Sequence, residues 1–239
     1  MLTISRKIRL PYLASGQSSK FDPETEIVAT LSGNQMQDGM IINLRNVKKE
    51  LTAIGLSLQC NDLLDFTVEF YRQARQQLLS SNIKLESLAA TLSSNTIRLT
   101  KDMLTLSRSY EFAASHRLER NDWDREKNCQ EFGNCSDTHG HNFVLTVSVG
   151  TATEAATPVL ISPSELDVIV DQVLLREMDH KDFNSTVSFM QGKLPTIENI
   201  VQTCFERLAP HFQAPLKLTK LKLAETSNHW AEFSVAEVC

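Results

Sequence analysis

Long apolar runs are missing from this chain of 239 residues. No stretch approaches the ~18 apolar residues of a membrane helix, so no spanning segment is expected. The opening MLTISRKIRL is too short and too charged for a signal-peptide core. A basic excess is missing too. Lys and Arg number 24 against 29 Asp and Glu, a net charge of −5, which argues against a broad nucleic-acid footprint. Glycine (8) and proline (7) are few, and no Gly/Pro/Ser-rich linker separates two halves. The cysteines are odd in number and scattered at 60, 129, 135, 204 and 239, which excludes a disulfide framework and fits a reducing, cytoplasmic setting. What is present is core-forming material. Hydrophobic residues make up 41% and charged residues 22%, so one large packed domain or two small ones are expected.

The chain repeats itself, and the repeat decides the architecture. MLTISRKIRL from Met1 matches MLTLSRSYEF from Met103, and EIVATLSG from Glu26 matches NFVLTVSVG from Asn142. GMIINLRNV from Gly39, FTVEFYRQARQQLL from Phe66 and IKLESLAATLSSNTIRL from Ile83 find counterparts at Pro158, Pro195 and Leu216, in the same order. Each copy opens with two stretches of period-two apolarity, at 2–10 and 27–32 in the first and 104–114 and 141–149 in the second, which predict half-buried strands. Two helical stretches follow, at 162–177 and 196–208 in the second copy. Leu166, Ile169, Val170, Val173 and Leu174 mark one apolar face there, and Ser162 before Pro163 and Glu165 gives an N-cap signature. Strands at 216–224 and 230–235 close the unit. The expectation is α+β, with two ββααββ units at 1–101 and 102–239, each an antiparallel sheet with two helices on one face. Open sheet edges in such units favour assembly with further copies, as a homo-oligomer.

Two inserts distinguish the second copy: RNDWDREKNCQEFGNCSDTHGH from Arg120 and MDHKDFN from Met178. The scaffold does not need them, and both are rich in Cys, His and Asp. In a strand, His139 and His141 point to one face and leave Gly140 between them, so both imidazoles can reach one metal ion. His116, near the end of the preceding strand, offers a third, and the first copy has Ala14 there. Three neutral imidazoles with an open fourth position suit catalytic zinc. Cys135 stands four residues before His139 and reads as a fourth ligand, a structural thiol, or a nucleophile or base. Cys129 reads as structural. Asp179 beside His180 suits an oriented imidazole for proton transfer, against the plainer reading of a histidine at a helix end. Glu225 ends a strand where the first copy has Leu92, and offers a carboxylate to a guanidine-like edge; Glu198 aligns with Glu69 and serves at least the helix start.

FAASHRL, FGNCSDTHGHNF, MDHKDFN, PTIEN and AETSN, in this order, resemble the successive motifs of the 6-pyruvoyltetrahydropterin synthase / 6-carboxytetrahydropterin synthase family. The resemblance runs from about Leu104 to Phe233. The first copy resembles the family only in its scaffold, with Asp65-Phe66 nearest to Asp179-His180. The resemblance implies the tunnelling fold, zinc on His116, His139 and His141, and Cys135 as the catalytic thiolate. It implies Asp179 and His180 as the partner acid/base. Glu225, helped by Glu198 and Thr196, is implied as the anchor of the pterin ring. The implied substrate is 7,8-dihydroneopterin triphosphate, whose phosphates would meet Lys181, with Arg117 and Lys127 as further basic candidates. The C-x3-H-G-H spacing from Cys135 resembles the 6-carboxytetrahydropterin branch of queuosine synthesis, while FGNC and HGHNF resemble the pyruvoyl branch in wording. A pterin aldolase-like branch is expected to carry Glu in place of Cys135. A reading of another class is a zinc-dependent assembly module without catalysis, closed by Cys135 as fourth ligand.

Overall fold

A computed structural model describes residues 2–11, 24–34, 40–78, 83–153 and 159–235. Ala14 and Cys239 lie outside the described residues. The chain divides into two compact units. Unit 1 comprises Met1–Ser107 with Thr151–Pro158, and unit 2 comprises Arg108–Gly150 with Val159–Cys239.

Unit 1 contains β1 (Leu2–Pro11), β2 (Glu24–Gly33), α1 (Leu44–Ser57), α2 (Leu63–Leu78), β3 (Lys84–Leu92) and β4 (Asn95–Thr100). The four strands lie in sequence order and pair antiparallel, and the β2–β3 register shifts between Thr30 and Leu31, with Glu86 the extra residue on β3. Period-two burial follows the apolar pattern: Ile27, Ala29 and Leu31 of β2 and Leu88 and Ala90 of β3 are fully buried, facing Val47, Leu51 and Phe70 of the helices. Asn43 caps α1 by accepting the Arg45 N–H, and Asp62 accepts the Asp65 N–H at the start of α2.

Unit 2 repeats the order with additions: β5 (Met103–His116, of which 108–116 belong to this unit), α3 (Arg125–Phe132), β6 (His139–Ala152, of which 139–150 belong to this unit), α4 (Pro163–Val170), α5 (Arg176–Met178), β7 (Lys181–Asp182), α6 (Ile197–Leu208), β8 (Lys217–Thr226) and β9 (His229–Ser234). The strand order is β5-β6-β8-β9, with β7 parallel to β5 and β9 at an edge. The expected antiparallel α+β arrangement of ββααββ order is therefore present. Ser162 caps α4 in a full capping box with Glu165, as the sequence predicts. A π turn over Asp171–Leu175 joins α4 to α5, so the helical stretch ends at Met178, immediately before Asp179. The core lies between sheet and helices. Phe143, Leu145, Val147 and Val149 form the inner row of β6, and Leu166, Val170, Leu174, Ile200, Cys204 and Leu208 face it. Phe112 and Phe143 stack at 5.3 Å, with Phe183 edge-on to both.

Two elements of unit 2 fall inside the inserts and have no counterpart in the sequence reading. Helix α3 is polar nearly all round, with Asn128 its buried residue, so it has no apolar period to find. Its start is signalled by Asp124, which accepts the Lys127 N–H. The two-residue β7 is held by tertiary pairing to β5 rather than by any pattern of its own.

Candidate functional site

The inner rows of three strands run past the core and end in polar residues at one end of the sheet. On β5 the row Phe112, Ala114 continues to His116; on β6 the row Val147, Leu145, Phe143 continues back to His141 and His139; on β8 the row Leu221, Leu223 continues to Glu225. Alternation dictates the histidine rows, since side chains two apart share a face; on β8 the pairing with β9 shifts register between Ala224 and Thr226, so Glu225 is the extra residue of that irregularity. In unit 1, β3 ends in Leu92.

The three imidazoles meet. Ring centroids of His116, His139 and His141 are 4.6, 5.2 and 5.0 Å apart, and one nitrogen from each lies within 4.8 Å of the others. The tautomers of His116 and His139 are set by carbonyl partners. His116 Nδ1–H donates to the Pro195 carbonyl at 2.8 Å, and His139 Nδ1–H donates to the Asp137 carbonyl at 2.8 Å. Each bond leaves Nε2 as the lone-pair nitrogen. His116 is 2% exposed, and its Nε2 and that of His141 are shielded from solvent without a hydrogen-bond partner. Burial pushes both histidines below their ordinary pKa, despite the nearby Glu225 carboxylate, which favours the neutral, ligating form. Orphaned lone pairs on converging neutral imidazoles, backed by carbonyl acceptors, fit a borderline divalent metal such as zinc. Among the described residues this cluster consists of three histidines and includes no thiol. Gly140 allows the close approach of strands here, because a Cβ would stand 3.3 Å from the Ala114 carbonyl oxygen.

Beside the cluster lies a cleft of about 1000 Å³, lined by Ser115, His141, His180, Lys181, Asp182 and Glu225 among others. The second insert reaches it by docking along β5. His180 N–H donates to the Ala113 carbonyl at 2.6 Å, and Phe183 N–H to the Ser115 carbonyl at 2.9 Å. His180 has φ +56°, in the left-handed region, a backbone state costly for a residue with a Cβ and recurrent at functional sites. Asp179 Oδ1 accepts the Ala113 N–H at 3.1 Å and His180 Nδ1–H at 2.9 Å. The Ala113 bond, with His180 assisting against slight burial, holds the Asp179 carboxyl below its ordinary pKa. The imidazole is thus oriented with Nε2 free, on a largely exposed ring. Glu225, 8% exposed at its side chain, places Oε1 3.7 Å from His116 Nε2 and accepts from His229 Nδ1–H at 2.8 Å through Oε2.

The structure adds three residues that sequence reasoning passed over. Asn184 accepts the Arg117 N–H at 2.8 Å and donates to the Arg117 carbonyl at 3.0 Å, clamping the chain next to His116. Asp182 accepts from the Ser115 and Ser185 hydroxyls and the Asn184 N–H. His229 holds Glu225. Asn184 and Asp182 lie inside MDHKDFN and His229 next to AETSN, yet only the fold gives their side chains a partner.

Of the other expected residues, all but Lys181 stand apart from the cleft lining. Cys135 is exposed on the short 3-10 turn Gly133–Ser136, and its carbonyl accepts the Leu118 N–H at 2.7 Å, two residues past His116. Cys129 Sγ accepts the Ser136 hydroxyl at 3.4 Å. Thr196 caps α6 by accepting the Asn199 N–H, and Glu198 is exposed in its first turn. Arg117 pairs with Glu119 at 2.6 Å, and the Lys127 ammonium lies 4.3 Å from the Trp123 ring centroid. Lys181 lines the cleft.

Comparison with known proteins agrees with this half of the chain. A 6-pyruvoyl tetrahydropterin synthase named from Caenorhabditis elegans has a solved structure that superposes with a TM-score of 0.51 at 26% identity, covering 56% of this chain and 96% of that one. The 6-pyruvoyl tetrahydrobiopterin synthase of Dictyostelium discoideum is 30% identical over 128 residues, 54% of this chain and 93% of the relative. Its Homo sapiens namesake is 29% identical over 126 residues, 52% and 86%. The family profile described as 6-pyruvoyl tetrahydropterin synthase matches residues 105–236, which contain all three histidines, the Asp-His pair and Glu225, and the chain belongs to that family.

Proposed function

We propose that the chain is a zinc-dependent pterin synthase that converts 7,8-dihydroneopterin triphosphate and one water to 6-carboxy-tetrahydropterin, acetaldehyde and triphosphate. The observation that carries this is the meeting of three strand rows, so that the orphaned imidazole nitrogens, Glu225 and the Asp179–His180 pair surround one cleft. His116, His139 and His141 hold the metal. When bound, zinc polarises the side-chain oxygens of the substrate and stabilises charge as a carbon-bound proton leaves. Glu225 accepts hydrogen bonds from the amino-pyrimidine edge of the pterin, with Thr196 and Glu198 behind the site at the α6 start. His180, oriented by Asp179, exchanges a proton through Nε2, and Cys135 as thiolate removes the proton from the substrate side chain. Lys181 attracts the phosphates at the cleft rim.

Support for the carboxy product is the resemblance of the C-x3-H-G-H spacing to the 6-carboxytetrahydropterin branch. The pyruvoyl product is the second reading, favoured by the names of the relatives. Incubation with 7,8-dihydroneopterin triphosphate and identification of products by mass separates them. Acetaldehyde with a 6-carboxy pterin supports the first, a pyruvoyl pterin the second, and unchanged substrate with metal-loaded protein favours the assembly module. That last reading needs Cys135 as a closing ligand and leaves the oriented Asp179–His180 pair without a role. Unit 1, with Leu92 in place of Glu225, serves as a non-catalytic scaffold. Edge strands such as β9 join copies of the chain into a homo-oligomer, a trimer or dimer.

A further inference from the structure

We propose that Glu225 is the fourth donor of the metal site in the substrate-free chain, joining His116, His139 and His141 through Oε1. The inference rests on the zinc reading given above and gives Glu225 a role besides the proposed pterin contact. What points to it is a meeting of two acceptors. His116 Nδ1–H donates to the Pro195 carbonyl, so Nε2 of the neutral ring carries a lone pair. Glu225 Oε1 lies 3.7 Å from that nitrogen, and the two side chains are 3% and 8% exposed. Among the described residues no donor reaches His116 Nε2. Facing lone pairs, one of them on a carboxylate, repel where water is excluded, unless a cation stands between them. A proton does not fill that place, because 3.7 Å is too long for a hydrogen bond. An ion of larger radius does. Nitrogen and oxygen donors around one tetrahedral zinc, at about 2.0–2.2 Å each, stand about 3.3–3.6 Å apart, close to the separation seen here.

A local irregularity brings the carboxylate to the histidines. The β8–β9 register shifts between Ala224 and Thr226, with Glu225 the extra residue. The matching hairpin of unit 1 pairs Thr91 with Thr96 and Leu92 with Asn95 without a shift. A bulge re-aims one side chain, and the one re-aimed here is an acid beside three imidazoles. The three histidine nitrogens lie within 4.8 Å of one another, and Glu225 meets that group at His116. His229 Nδ1–H holds Oε2 at 2.8 Å, which orients the carboxylate and leaves Oε1 to face His116. Three neutral imidazoles leave both charges of a divalent ion uncompensated beside the buried His116, and one carboxylate halves that charge. The amino-pyrimidine edge of the proposed substrate needs the same carboxylate, so the two roles of Glu225 alternate.

The test uses the full chain without substrate. Zinc affinity is measured by competition with a chromogenic chelator, and cobalt(II) serves as a coloured replacement for zinc. Glu225→Gln keeps the side-chain shape and an oxygen acceptor for His229, whereas Glu225→Ala removes both. Each variant should weaken zinc binding by at least roughly tenfold, the lower end of what losing even an outer-shell partner costs. Each should also shift the visible absorption of the cobalt form, because a carboxylate oxygen leaves the ion. Metal-free Glu225→Gln should be no less resistant to urea than metal-free wild type, since it relieves the repulsion at His116; this separates a lost ligand from a lost fold. Zinc affinity and cobalt absorption equal to wild type in both variants overturn the proposal and leave Glu225 to the pterin alone. A wild-type chain that binds no zinc overturns it together with the zinc reading, so the two failures are told apart.

Discussion

The Pro195 carbonyl oxygen lies 2.8 Å from Nδ1 of His116. Pro195 immediately precedes Thr196, the N-cap of α6, so the start of a helix fixes the tautomer of a histidine from β5. The same logic operates at His139 through the Asp137 carbonyl. Both rings are committed to offering Nε2 before any metal arrives, which lowers the ordering cost of binding.

Zinc should therefore bind at one equivalent per chain. His141→Ala should weaken binding by more than the roughly 10–100-fold typical of losing an outer-shell partner. Elemental analysis and chelator competition measure both, and two equivalents, or none in protein purified without chelator, would contradict the three-histidine site.

Cys135→Ala should abolish turnover with zinc retained, because the histidine cluster contains no thiol among the described residues. Cys129→Ala, which removes a partner of the Ser136 hydroxyl, should have a modest effect. Loss of metal from Cys135→Ala would instead make the cysteine a ligand.

Asn184 makes two hydrogen bonds to the backbone of Arg117, next to His116. Asn184→Ala leaves a part-buried N–H and C=O unpaired, at a cost of about 1–3 kcal/mol of stability. It should also lower zinc affinity by displacing His116. Chemical denaturation and metal competition on the same variant give the two numbers. Destabilisation with zinc affinity unchanged would show that the clamp serves the fold alone.

The His229 contact to Glu225, at 2.8 Å, aims the carboxylate proposed to hold the pterin. His229→Ala should raise KM by several-fold with a smaller change in kcat, since ring binding is shared by ground and transition states. His229→Gln, which keeps a donor, should restore part of the loss. An unchanged KM would detach His229 from substrate binding.

Asp182 provides the acid limit of this region. Burial acts to raise its pKa, but hydrogen bonds from the Ser185 and Ser115 hydroxyls and from backbone N–H groups outweigh burial and hold it below the ordinary aspartate value. A carboxyl depressed in the folded state contributes stability above the unfolded pKa and loses it as pH falls through the folded value. The melting-temperature gap between wild type and Asp182→Asn should thus be constant at neutral pH and close only below about pH 4. A gap that closes between pH 7 and 5 would assign the effect to another group.

Much of the scaffold was determined by sequence because its signals are local and periodic. The alternation that predicted strands also aimed His139 and His141 at the face of Phe143, whereas Glu225 stands where the β8–β9 register shifts, which no strand period announces. Ser162, Pro163 and Glu165 announced the start of α4, and the capping box formed. The repeat itself revealed the two inserts as additions to a common order. What the sequence could not decide depends on contacts between distant segments. Helix α3 carries no apolar period, and β7 exists only because β5 supplies its partner. No spacing rule connects His116 with Pro195, 79 positions away, or Arg117 with Asn184, 67 away. Residue types and faces are fixed by short-range pattern, but tautomers, orphaned lone pairs and the clamp on His116 arise only when β5, the second insert and the start of α6 are packed together.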